Sequence, residues 1–318
     1  MTNKRVSTLG LAIAFMGILP MVIIMKKYFH GANKSSPYFE GWYFKCQTQD
    51  GQSLALIPAF HISENGEQSA SIQVVTDKQA WYLDYPASAF TASQNSLHIA
   101  IGENRFWDVG LHLNVQQEDL TLHGRVEFGP FQTLKSDIMG PFRWLANMEC
   151  VHNVLSMQHT LCGQVQINSD TLEFDGGIGY IEADRGRSFP TTYLWTQCLW
   201  DNCSMMLSIA TIPLGKFHFT GCICAIVLNG KEYRLATYRG VRILNWSSKG
   251  ASLRQGKYRL EVELLVQKPQ PLRAPSNGNM GRTIHESLCA RVRYRFWQGN
   301  KLLFDHTDNC ASFEYASK

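Results

Sequence analysis

Three segments of this chain gather carboxylic acids among aromatic rings, glycines and proline: Gly176–Pro190 (GGIGYIEADRGRSFP), Ser36–Lys45 (SPYFEGWYFK) and Met148–His159 (MECVHNVLSMQH). An unpaired carboxylate is costly to bury, so such mixtures are poor material for a plain core strand. Acids beside aromatic surface are also what keeps a carboxyl group protonated at neutral pH, ready to donate. Glu182 and Asp184 stand two apart and share one face of an extended strand, Arg185 and Arg187 take the other parity, and Gly186 permits a bend. One carboxyl can act as a general acid while the other, or an arginine, sets its proton affinity. From spacing alone, a carboxylate–arginine cluster that fastens a turn is the commoner use of such residues. In the first segment Tyr38, Glu40, Trp42 and Phe44 share a face. Glu40 there reads as a desolvated acid, or as a partner for a buried Trp, Tyr or arginine. The third segment adds Glu149, His152 and His159. His152 reads as a neutral hydrogen-bond partner for a substrate hydroxyl or for Glu182, or as a satisfied core histidine.

Other chemistries lack their signatures. The two histidines match no standard metal spacing and no HExxH occurs, so no metal is expected. There is no GxSxG, P-loop or strand–helix GxGxxG, so neither serine hydrolysis nor a nucleotide cofactor is expected. The net charge of +4 comes from scattered residues, which gives no nucleic-acid signature. Nine cysteines without a CxxC read as reduced, mostly buried thiols of a reducing compartment, although one disulfide remains compatible. The oligomeric state is not written in the sequence.

The elements that must position these groups are strands. Asp119–Phe128 places Leu120, Leu122, Val126 and Phe128 on one face; Lys257–Val266 and Arg291–Trp297 alternate in the same way. Turn signals recur at Glu64–Asn65–Gly66, Asn229–Gly230 and Gly299–Asn300. This predicts a mainly β protein of antiparallel barrels or sandwiches. With 318 residues, two domains are expected: 36–147 and 148–318. One helix is expected within Gly140–Asn153. The proline-rich stretch Lys268–Gly281 reads as an irregular loop over a cavity mouth. Residues 1–27 form a separate unit. The uncharged Val6–Met25 is long enough to span a bilayer and reads as a membrane anchor, or as an over-extended start ahead of Met25. The protein is then membrane-associated if 1–27 are translated, and otherwise cytoplasmic.

The chain resembles the tocopherol cyclase-like family, similar in architecture to carotenoid hydratases and other tandem lipocalin-like enzymes. The resemblance runs from about residue 36 onward. It rests on SPYFEGWYFK, MECVHNVLSMQH, GYIEADRGRSFP followed by TTYLWTQC, and APSNGNMGRTIHESL at Ala274–Leu288. Where the family has lysine and tryptophan this chain has Ala183 and Arg185, and where Asn-His-Phe is usual it reads Leu199–Trp200–Asp201. The resemblance implies two lipocalin-like β-barrel halves, little helix, an apolar ligand cavity and no cofactor. It also implies an isomerase-class intramolecular lyase acting on a prenylated quinol. In that reaction a protonated acid converts an alkene to a tertiary carbocation, which the phenolic oxygen captures. A dry cavity keeps water from taking the cation. On this reading Asp184 or Glu182 is the acid, Glu40 the second carboxylate and His152 the hydrogen-bond partner. Trp42, Tyr43 and Trp195 face the cation, with Tyr180 and Arg187 completing the substrate contacts. A non-catalytic carrier of an apolar lipid and an isoprenoid hydratase are the alternatives. A purely structural assembly protein would instead have a filled interior.

Overall fold

The computed structural model describes residues 28–144, 148–214 and 217–317. The expected N-terminal anchor lies outside them, and among the described residues no helix is long and apolar enough to cross a membrane. The fold is mainly β: two antiparallel sheets of 12 and 10 strands with a few short 3-10 turns.

The two sheets share one logic. In each, a meander of four strands runs outward from the middle, and its first strand pairs with the last strand of the same sheet. In the first sheet Tyr38–Gln47 begins the meander and pairs with Ile178–Gly186, which pairs in turn with Cys150–Ile167. In the second, Thr192–Trp200 begins the meander and pairs with Lys301–Ala316, followed by Asn279–Gln298. Strands from both flanks of the first sheet feed one apolar cluster, including Phe44, Leu54, Ile72, Phe106 and Leu122, so the sheet wraps around its own core. The second sheet does the same around Leu207, Cys224, Leu253, Val292 and Phe296. A third cluster, with Tyr43, Tyr180, Met157, Trp195, Met206 and Leu288, joins the outer faces of the two sheets.

Period-two alternation predicts the strands well. Thr121–Phe128 and Tyr258–Val266 bury the expected faces, and the expected turns sit at hairpin ends. At Asn229–Gly230 both residues have positive φ (49° and 73°), the conformation a two-residue hairpin requires. Three expectations are corrected. The division expected at 147/148 falls inside the first sheet: Cys150–Ile167 pairs with Ile178–Gly186, which pairs in turn with Tyr38–Gln47, and the chain passes to the second sheet at 187–191. The helix within Gly140–Asn153 is a 3-10 turn at Gly140–Trp144, and from Cys150 the chain is a strand paired along Ile178–Gly186. Lys268–Gly281 is a hairpin: Gln270–Ser276 pairs on one side only, with Asn279–Gln298, and that edge position tolerates Pro271 and Pro275.

Candidate active site

Register across the ladders builds the site. Gly41, Asp184 and His152 stand side by side on three adjacent strands, and Tyr43, Glu182 and Val154 form the next row. The second sheet supplies a facing row in which Glu314 pairs with Trp195 on one side and Glu286 on the other. The two rows meet at the seam between the sheets, around a cavity with about 1430 Å³ of space between atoms, its mouth included. Phe39, Ile57, Met139, Phe189, Ile223 and Leu272 supply much of its apolar wall. Its mostly apolar lining suits an apolar molecule.

Glu182 is buried. It accepts a 2.5 Å hydrogen bond from the Tyr180 hydroxyl and a 3.3 Å bond from Trp195 Nε1. His152 Nδ1 lies 2.9 Å from Asp184 Oδ1, and its Nε2 lies 3.3 Å from Glu182 Oε2 without hydrogen-bond alignment. Burial opposes a charge on His152. The two carboxylates outweigh it and hold the imidazole protonated well above its ordinary range. This corrects the neutral His152 of the sequence reading. The Cys150 thiol donates to Asp184 at 3.4 Å.

The facing row holds two acids that the sequence reading missed. Tyr43 donates to Glu286 Oε1 at 2.6 Å and stands 3.1 Å from Ser312 Oγ, which Lys45 Nζ approaches at 3.0 Å. Tyr193 donates to Glu314 Oε1. Burial pushes the Glu286 carboxyl up to about 7, against the opposing pull of Tyr43 and Lys45. Burial and the neighbouring Glu286 push Glu314 up to about 8. Both therefore carry a proton for a substantial fraction of the time at neutral pH, the state an acid catalyst needs.

The expected site residues divide. Glu182, Asp184, His152, Tyr43 and Trp195 line the cavity, and the Tyr43 and Trp195 rings meet edge to face at 5.4 Å. Tyr180 touches the site through Glu182. Trp42 borders the cavity but packs into the first core, 6.3 Å from Phe29. Glu40 does not belong: it lies on the opposite face of its strand, where Tyr38, His30 and the backbone of Gly31 satisfy it. Arg187 is exposed, and its backbone rather than its guanidinium is used, bonding Glu149 and Gly278. No arginine pairs with Glu182 or Asp184 among the described residues; histidine, tyrosine and tryptophan take that place. Among the described residues two groups of side chains have metal-ligand chemistry: His152, Glu182 and Asp184 here, and Cys198, His306 and Asp308 in the second sheet. In the first group, donors from Tyr180, Trp195 and Cys150 already engage the carboxylates.

No family profile matches the chain and no curated protein matches it. Solved structures do. The chain is similar to CghA, also solved with Sch210972, at 11% identity and a TM-score of 0.56 over 89% of each chain. It is similar to kievitone hydratase from Nectria haematococca at 9% identity and a TM-score of 0.51, over 89% of this chain and 90% of that one. A protein designated ATTH from Nitrosomonas europaea aligns at 14% identity and a TM-score of 0.53, over 87% and 92%. The tandem lipocalin-like fold is thereby shown. Identities this low carry the fold and nothing finer.

Proposed function

We propose that this protein is an enzyme that protonates an apolar, isoprenoid-type substrate in the seam cavity and guides the resulting carbocation to a ring-closed or hydrated product. The observation that carries this reading is the placement of Glu286 and Glu314, both held partly protonated at neutral pH, in one apolar cavity with the His152–Asp184–Glu182 cluster. A carboxyl proton adds to the less substituted carbon of an alkene and leaves a tertiary cation. A phenolic oxygen or a water attacks that cation and returns its proton to the carboxylate, so the enzyme ends unchanged and no cofactor is consumed. The rings of Tyr43 and Trp195 stabilise the cation through their faces.

Within this class, ring closure of a prenylated quinol is the reading favoured by the motif resemblance. Hydration stands beside it, because a kievitone hydratase shares the fold. The test is incubation of the full chain with a phytylated methyl-benzoquinol, separating the chromanol isomer from the hydrate by chromatography. Product lost in Glu286→Gln or Glu314→Gln supports the reading. Quinol bound and recovered intact would make the protein a carrier for that ligand.

A further inference from the structure

We infer that the seam cavity selects ligands that carry a cationic nitrogen on an apolar chain, holding the charge between its carboxyl groups and aromatic rings. The inference rests on the cavity being a ligand site, as the proposed function requires, and adds the ligand's charge.

Acids outnumber bases in the cavity. Glu182, Asp184, Glu286 and Glu314 all line the cavity, and His152 is the single basic side chain in contact with them among the described residues. Among the described residues no lysine or arginine lies within 4.0 Å of any of the four carboxyls. The nearby basic residues make their direct hydrogen bonds to other groups. Lys45 Nζ donates to the carbonyls of Cys310 at 2.6 Å and Leu288 at 3.4 Å and to Ser312 Oγ at 3.0 Å, and so reaches Glu286 only through Ser312 and Tyr43. Arg282 donates to the carbonyls of Pro190 at 2.7 Å and Thr191 at 3.0 Å. Arg273 stacks 4.0 Å from the Tyr82 ring. In this apolar cavity the excess of acids is relieved by protons on Glu286 and Glu314, and a cation placed between them would let both ionise.

A further observation points to a ligand. Edge-to-face contacts link Tyr43 with Trp195 and Phe39 with Phe189, each at 5.4 Å, among the residues that line the cavity; aromatic surface beside carboxyls suits an organic cation. The apolar walls favour an alkylammonium over a hydrated metal ion.

A cation placed there favours the ionised forms of Glu286 and Glu314, so its binding expels protons and tightens as pH rises. The groups facing these two acids are Tyr43 and Lys45 from one strand, Glu182 and Asp184 from another, Tyr193 from a third, and Cys289 and Arg282 on the Glu286 strand itself. None of them reverses that sign.

The test is calorimetric titration of the full chain with decyltrimethylammonium, decanol and decanoate, each below its micelle threshold. The cation is expected to bind about tenfold tighter than decanol, and decanoate more weakly than either. Affinity for the cation should rise from about pH 6 to about pH 8.5, with proton release visible as a buffer-dependent heat, while decanol stays flat. The near-isosteric Glu286→Gln/Glu314→Gln variant should lose both the preference and the pH dependence. If that variant fails to fold, the three-ligand comparison and the wild-type pH series still decide. Equal binding of cation and decanol, an affinity flat or falling with pH, or binding of Zn²⁺ alone without ammonium preference would overturn the inference. Cation preference without turnover of any alkene would sink the catalytic reading and leave this one; turnover without cation preference would do the reverse.

Discussion

Tyr43 and Glu286, 243 residues apart in the chain, are joined by a 2.6 Å hydrogen bond that crosses from the first sheet to the second. The bond does two things: it ties the sheets at the floor of the cavity and it holds the Glu286 carboxyl below the value burial alone would give. In Tyr43→Phe the second effect disappears and Glu286 keeps its proton to higher pH. The alkaline limb of the pH–rate profile should move up by roughly one unit. Loss of a bond to a buried acid should also cost about 1–3 kcal/mol of stability, read by denaturant titration.

Stability should fall as pH rises through neutrality. Glu286 and Glu314 have folded values of about 7 and about 8, above the 4.5 of a free glutamate. The native state therefore binds more protons than the unfolded chain between those limits. Their contribution is fully present below about pH 4.5 and is lost as pH approaches 8. His152, also raised, acts in the same direction. The change is about 3 kcal/mol for Glu286 and about 5 kcal/mol for Glu314. Melting temperatures measured across this range should decline, and Glu286→Gln/Glu314→Gln should flatten the decline.

His152 is expected to work as a charged bridge. In His152→Asn the imidazolium between Asp184 and Glu182 is gone, and two carboxylates face each other without it. Turnover should drop about 10²–10⁴-fold. Asp184→Asn should cost less, because Glu182 keeps its own donors from Tyr180 and Trp195. Single-turnover rates of the two variants give the comparison.

Gly186 closes the strand that carries both Glu182 and Asp184. A Cβ there would stand 2.0 Å from the carbonyl oxygen of Glu149, at a φ of 156°. Gly186→Ala should lower the melting temperature by several degrees, an energetic cost of about 1–3 kcal/mol. It should also weaken ligand binding by displacing the His152 strand from its partner.

Much of this architecture was legible from residue order because half-buried antiparallel strands write their period directly into the sequence, as in Thr121–Phe128. Glu182, Asp184 and His152 were legible because they are crowded into short segments of unusual composition. Glu40 misled for a specific reason: its strand is buried on both faces, so parity groups Glu40 with Trp42 but cannot say which core that face meets. Glu286 and Glu314 carried a fainter signal. Each is a lone acid at the apolar parity of a long strand, in Ile284–Glu286–Leu288 and Ser312–Glu314–Ala316. Their pairing with Tyr43 and Tyr193 depends on the docking of two sheets, which no local pattern records. The crossing point at 187–191 was hidden likewise, since strand order is a property of the ladders.

Because the cavity lies at the seam and not within either wrapped sheet, its completion is a late event in the life of each molecule. Synthesis delivers Tyr43, His152 and Glu182 first, with an outer face carrying Tyr180, Met157 and Val154 ready to dock. Until the strands bearing Glu286 and Glu314 are made, that face meets water and other nascent chains. A molecule stalled at this stage is sticky and inert, and a ligand large enough to touch both rows rewards only chains that have finished assembling.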